Sequence, residues 1–145
     1  MPFRARVLVV DDSSTIRALL SGTLGKQPGI QIAGVAADAI EAERLLQSVP
    51  VDVVTLDVEM PGQSGIDYLR QIRGRHNVAV IMLSSSTGDG SDVRTRALEA
   101  GAAGCFNKAD TVRELPQLLA LIRAAANHNG KLTSIEAEAL ANARR

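Results

Sequence analysis

The chain has 145 residues, 46% of them hydrophobic, with 16 basic and 16 acidic side chains that leave no net charge. One domain of this length buries about 70% of its unfolded surface, and balanced charge argues against a nucleic-acid footprint or a membrane-surface module. No window reaches the ~20 apolar residues of a membrane span, and a lone cysteine, Cys105, leaves no intrachain disulfide or cysteine-built four-ligand zinc site.

The basic start, Met1 to Arg6, is followed by only four apolar residues, Val7-Leu8-Val9-Val10, before Asp11 and Asp12. That is too short for a signal peptide, and it suits a first buried strand in a protein of the reducing cytosol. Ser13 and Ser14 can cap a helix whose apolar positions are Ile16, Leu19, Leu20, Thr23 and Leu24, stopped by Gly25 and by Pro28 with Gly29. Residues 30–35 alternate as a second strand through Ile30, Ile32 and Val35. Asp38 then caps a helix with Ala42, Leu45, Leu46 and Val49 on one face, closed by Pro50.

Val53-Val54-Thr55-Leu56 forms a third strand that runs straight into Asp57, and Pro61 with Gly62 forces the loop behind it. Ile66, Leu69 and Ile72 mark a helix up to Gly74. Val80-Ile81-Met82-Leu83 is a fourth strand ending in Ser84, and Ser91 or Asp92 starts a fourth helix that lasts to Ala100 and Gly101. A short fifth strand, Ala103-Gly104-Cys105-Phe106-Asn107, delivers Lys108 to the edge. Leu115, Leu118, Leu119 and Ile122 line a fifth helix. Five strands alternating with five helices require right-handed crossovers, hence an α/β fold with a parallel sheet covered on both faces.

Four of these strands end in functional groups, at the edge where open α/β sheets bind ligands: Asp11 and Asp12, Asp57, Ser84 and Lys108. Each alone reads as a turn residue, a cap or a solvated charge. Together they form a chemical set. Three converging carboxylates repel one another unless a cation compensates, and Mg²⁺ is a hard ion held by one or two carboxylates plus phosphate oxygens. A carboxylate can itself accept a phosphoryl group, and a lysine and a small hydroxyl complete the charge compensation that this transfer requires.

The set resembles the receiver domains of bacterial two-component response regulators, over roughly residues 6–127. The resemblance implies the flavodoxin-like three-layer (βα)5 sandwich with sheet order 2-1-3-4-5. It implies Mg²⁺ bound by Asp11, Asp12 and Asp57 with the Glu59 backbone carbonyl. It also implies Asp57 as acceptor of a phosphoryl group from a histidine kinase or phosphotransfer protein, with Ser84 and Lys108 as its contacts. Such a chain is a cytoplasmic switch and not an enzyme, a monomer or weak dimer that signals to a protein partner through helix four, strand five and helix five. Within the family, Thr55 to Pro61, Ser84-Ser85, Gly90-Ser91 and Ala97-Leu98-Glu99 are similar to the receiver of the chemotaxis protein-glutamate methylesterase. The expected organisation is a receiver over 1–127 and an extension over 128–145, a short helix or tail opened by Thr133 and Glu136 at capping-box spacing.

Two positions depart from that pattern. Ala109 follows Lys108 where proline is usual and the peptide is commonly cis, so the bond is either strained or trans with a displaced loop. Cys105 replaces a Tyr or Phe whose rotamer reports phosphorylation, and the loop 85–92, rich in glycine, becomes the expected moving part. Two other classes fit less well. An aspartate-nucleophile phosphatase wants a second aspartate at position 59. A flavin module wants an uncharged phosphate loop after strand one, where Asp11 and Asp12 would repel the phosphate.

Overall fold

Strands whose side chains are apolar on both faces need a layer of helices on each side, and this chain alternates the two element types to supply it. The computed structural model describes residues 4–85 and 91–127, so the expected extension over 128–145 and most of the glycine-rich loop lie outside the described residues. The strands are β1 (Ala5–Val10), β2 (Ile30–Ala36), β3 (Val53–Asp57), β4 (Ala79–Ser84) and β5 (Gly104–Asn107). They pair in parallel in the order β2-β1-β3-β4-β5, the flavodoxin-like arrangement. The helices are α1 (Ser14–Gly25), α2 (Ala39–Ser48), α3 (Gly65–Arg75), α4 (Ser91–Glu99) and α5 (Leu115–Asn127), with a 3₁₀ turn at Lys108–Asp110.

Alternate strand residues feed two separate cores, as a period of two requires. Val7, Val9, Val53, Ile81 and Leu83 pack with Leu20 and Leu24 of α1 and Leu118 and Ile122 of α5. Leu8, Val10, Val54, Leu56, Val80 and Met82 face the other way, onto Ala42 of α2, Ile66, Leu69 and Ile72 of α3, and Ala97 of α4. Each fully buried Val, Leu or Ile stabilises the fold by roughly 1.5–3 kcal/mol.

Caps fix where the helices begin beside the sheet edge. The Ser13 hydroxyl accepts from the Ile16 N–H, Asp38 from Glu41 and Ser64 from Asp67. At the opposite edge Arg6 grips Asp52 in a fork, Nε to Oδ2 and Nη2 to Oδ1, both at 2.9 Å.

Two expectations for the first half of the chain need correction. Leu19 is 41% exposed, so the buried stripe of α1 is the narrower Leu20 and Leu24. In β2 the register shifts: Val7 pairs with Ile32, but Leu8 pairs with Gly34. The extra residue resets the alternation, which places Ile30 and Ile32 on one core and Ala36 on the other, and leaves Val35 40% exposed.

Candidate functional site

The strand order reverses between β1 and β3, and at such a switch point the crossovers diverge and leave a crevice at the carboxyl ends. Asp11 and Asp12 follow β1, Asp57 ends β3, Ser84 ends β4 and Lys108 follows β5. All the expected groups therefore reach one edge. Asp11 and Asp57 are almost fully buried, Asp12 is exposed, and one oxygen from each lies within 4.8 Å of the others.

Each carboxylate is aimed by its own chain. Asp11 is locked from three sides: its N–H donates to the Ala36 carbonyl, its Oδ1 accepts from the Ser13 N–H at 2.9 Å, and its carbonyl takes Arg17 Nη1 at 2.7 Å. Asp57 Oδ1 accepts from the Glu59 N–H at 3.0 Å. The Lys108 ammonium reaches across the crevice to Asp57 Oδ1 at 2.9 Å and Asp11 Oδ2 at 3.0 Å. Asp57 Oδ2 is buried with no hydrogen-bond partner among the described residues. A buried carboxylate oxygen left bare is costly, and it marks where a ligand would be received.

Electrostatics separate the partners. Burial pushes the Asp57 carboxyl up to about 7, with the neighbouring Asp11 and Asp12 carboxyls adding to it and Lys108 opposing. Burial also works against the Lys108 charge, but Asp57 and Asp11 more than offset it and hold the ammonium above the ordinary lysine range. Three carboxylates thus face one lysine, and the set fits a hard divalent cation: oxygen donors only, two buried and one open to solvent.

The structure decides the question at Lys108. No cis peptide occurs among the described residues, and the trans loop still brings the Lys108 ammonium onto both Asp57 and Asp11. Asn107 explains how. Its Oδ1 accepts from the Ala109 N–H at 2.8 Å and caps the 3₁₀ turn that begins at Lys108. Proline has no N–H to give, so alanine is the residue that makes this cap available. The signal in the sequence was an Asn two residues before the amide it caps.

Glu59 and Gly65 also carry more than the sequence suggested. The exposed Glu59 carboxylate accepts from Ser84 Oγ at 3.2 Å and the Ser85 N–H at 3.3 Å, so it ties the end of β4 to the loop behind Asp57. Gly65 comes so close that a Cβ there would lie 2.0 Å from the Asp57 carbonyl oxygen. No spacing rule announces that approach. Cys105 is partly buried against the α2, α3 and α4 core, and burial pushes its thiol up, as suits an inert filler.

Comparison with known proteins agrees with this geometry. Residues 7–120 match the response regulator receiver domain family. The protein-glutamate methylesterase/protein-glutamine glutaminase 1 of Caulobacter vibrioides is 42% identical over 127 residues, 85% of this chain and 37% of that protein. A Pyrococcus horikoshii protein of the same description is 46% identical over 99 residues, 68% of this chain and 27% of its own. The chain spans about a third of the length of the curated relatives it matches. Among solved structures, the response regulator domain of Thermotoga maritima CheB superposes with a TM-score of 0.75 at 36% identity, covering 86% of this chain and 97% of that one. A LuxR-family two-component response regulator from Aurantimonas gives 0.75 at 30% identity, covering 97% and 98%. The chain belongs to the response regulator receiver domain family, related to the receivers of protein-glutamate methylesterases.

Proposed function

We propose that Asp57 accepts a phosphoryl group from a histidine kinase or phosphotransfer protein, and that the modified chain switches a protein-binding face on α4, β5 and α5. The observation that carries this reading is the pair of Asp57 oxygens: Oδ1 is fixed by Lys108 and the Glu59 N–H, while Oδ2 is buried and bare beside two more carboxylates. In the transfer an Asp57 oxygen bonds to phosphorus, the bond to the donor breaks, and the donor leaves with its electron pair. Asp11, Asp12, Asp57 and the Glu59 carbonyl would hold Mg²⁺, which when bound neutralises charge on the transferred oxygens.

The rest of the work falls to the chain's own groups. Lys108 already spans Asp57 and Asp11, so it can follow a phosphoryl oxygen with little movement and draw the end of β5 inward. Ser84 must exchange Glu59 for that group, which links the modified aspartate to the end of β4 and to the α4 side of the fold. The methylesterase relatives support a second placement, as the receiver portion of a chemotaxis protein of that kind. Incubation of the chain with a small phosphodonor and Mg²⁺ should add one phosphoryl group at Asp57 by mass spectrometry, and chelation should prevent it. Equal labelling in excess chelator, or label on another residue, would contradict the reading.

A further inference from the structure

We propose that Arg96 accelerates transfer from donors whose leaving group departs as an anion, acyl phosphates above all, and leaves transfer from a P–N donor such as a phosphohistidine unaffected. The inference rests on Asp57 as phosphoryl acceptor. A cavity of about 500 Å³ opens beside the acidic cluster, where Asp12 and Glu59 line it together with the apolar Val58, Met60 and Val93, and Arg96 is its basic lining residue. The neighbouring cations are committed: Lys108 to Asp57 and Asp11, Arg17 to the Asp11 carbonyl, Arg94 to the Cys105 carbonyl. The Arg96 side chain, on the exposed side of α4, has no hydrogen-bond or ion-pair partner among the described residues.

What such a cavity favours follows from where charge goes. When Asp57 attacks an acyl phosphate, the new P–O bond forms on the aspartate and the old one breaks, and its electron pair leaves on the carboxylate oxygen of the acyl group. Negative charge therefore grows on the leaving group beside Asp12 and Glu59, which oppose it. A guanidinium in the same cavity stabilises that charge more in the transition state than in the ground state, and it can take both oxygens of the departing carboxylate. The apolar walls accept the alkyl part. A donor with a P–N bond, protonated on nitrogen, leaves as a neutral amine or imidazole and draws little from Arg96. Its rate should not depend on that residue.

Acetyl phosphate and phosphoramidate are the two probes, used on the full chain with excess Mg²⁺ and followed by intact mass. Arg96→Ala should lower the rate of labelling by acetyl phosphate about tenfold, the size of one charge-assisted contact, and leave phosphoramidate within about twofold. Arg96→Lys should recover part of the loss, and the thermal midpoints of all three proteins should agree. Equal loss with both donors, or loss with neither, would overturn the assignment. A wild-type chain that takes label from neither donor would overturn the phosphoacceptor reading itself, and this inference with it.

Discussion

Asp52 and Asp57 stand at the two ends of the same strand, both buried, and they are treated in opposite ways. Asp52, just before β3, is met by the Arg6 fork and by the Arg6 N–H, so each of its oxygens has a donor. Burial raises the cost of its charge, but the three Arg6 contacts win and hold the carboxyl below the usual range. Asp57 has one fixed oxygen and one bare one, and for it burial wins. One end of the strand is satisfied by its own chain. The other is left needing a ligand, and that difference separates a structural ion pair from a site.

The largest expected effect comes from forcing the two ends to differ less. Gly65→Ala drives a methyl group into the Asp57 carbonyl, so the strand end or the start of α3 must move. Equilibrium denaturation should show a loss of about 3 kcal/mol or more, with phosphoryl labelling lost alongside it. A variant as stable as wild type would mean that the α3 start yields freely and does not set Asp57.

Removing the satisfied carboxylate comes next. Asp52→Ala leaves Arg6 without its partner, and because that arginine side chain is 41% exposed it can turn to water, which limits the cost to about 2 kcal/mol. The sign with pH follows from the lowered carboxyl. In the wild type this contribution is present above pH about 4 and is lost as pH falls through the lower folded value, so the gap between the two proteins should close in acid.

Asp57→Asn should act the other way. The folded carboxyl near 7 holds its proton more tightly than the unfolded one, so wild-type stability falls as pH rises from about 4 to about 7 and is level above. The Asn chain escapes that loss. In chelator at pH 8 it should be the more stable protein by about 1–2 kcal/mol, a linkage gain trimmed by the lost Lys108 contact, and the difference should vanish toward pH 4. A destabilised Asn chain at pH 8 would show that Asp57 is as well satisfied as Asp52. The smallest effect is at Thr55, between the two, whose buried hydroxyl has no partner among the described residues. Thr55→Val should be neutral or stabilising, by up to about 1 kcal/mol in thermal unfolding.

Asp57 was legible in the sequence and the origin of its character was not. The apolar run 53–56 and the loop residues Pro61 and Gly62 mark a strand ending in a carboxylate, because burial on both faces writes itself into composition. The convergence of Asp11, Asp57 and Lys108 followed from chain order, since strands ending at one edge bring their last residues together. Asp52 gave no comparable signal. Its partner is 46 residues away, and a lone Asp before a strand reads as a turn residue. Gly65 was silent for a similar reason, as closeness between the start of a helix and a strand end depends on packing that no local pattern encodes. The bulge in β2 was also decided by its neighbour, through the Leu8 register, whereas the Asn107 cap is local, two residues before the Ala109 N–H it receives.

The central claim is that the unsatisfied end of β3 is the chemical one. The most direct test maps the phosphoryl group after incubation of wild type, Asp57→Asn and Asp52→Asn with phosphoramidate and Mg²⁺, by peptide mass spectrometry. The account predicts one label on Asp57 in wild type and in Asp52→Asn, and none in Asp57→Asn. Label that persists in Asp57→Asn, or that disappears only with Asp52, would contradict it.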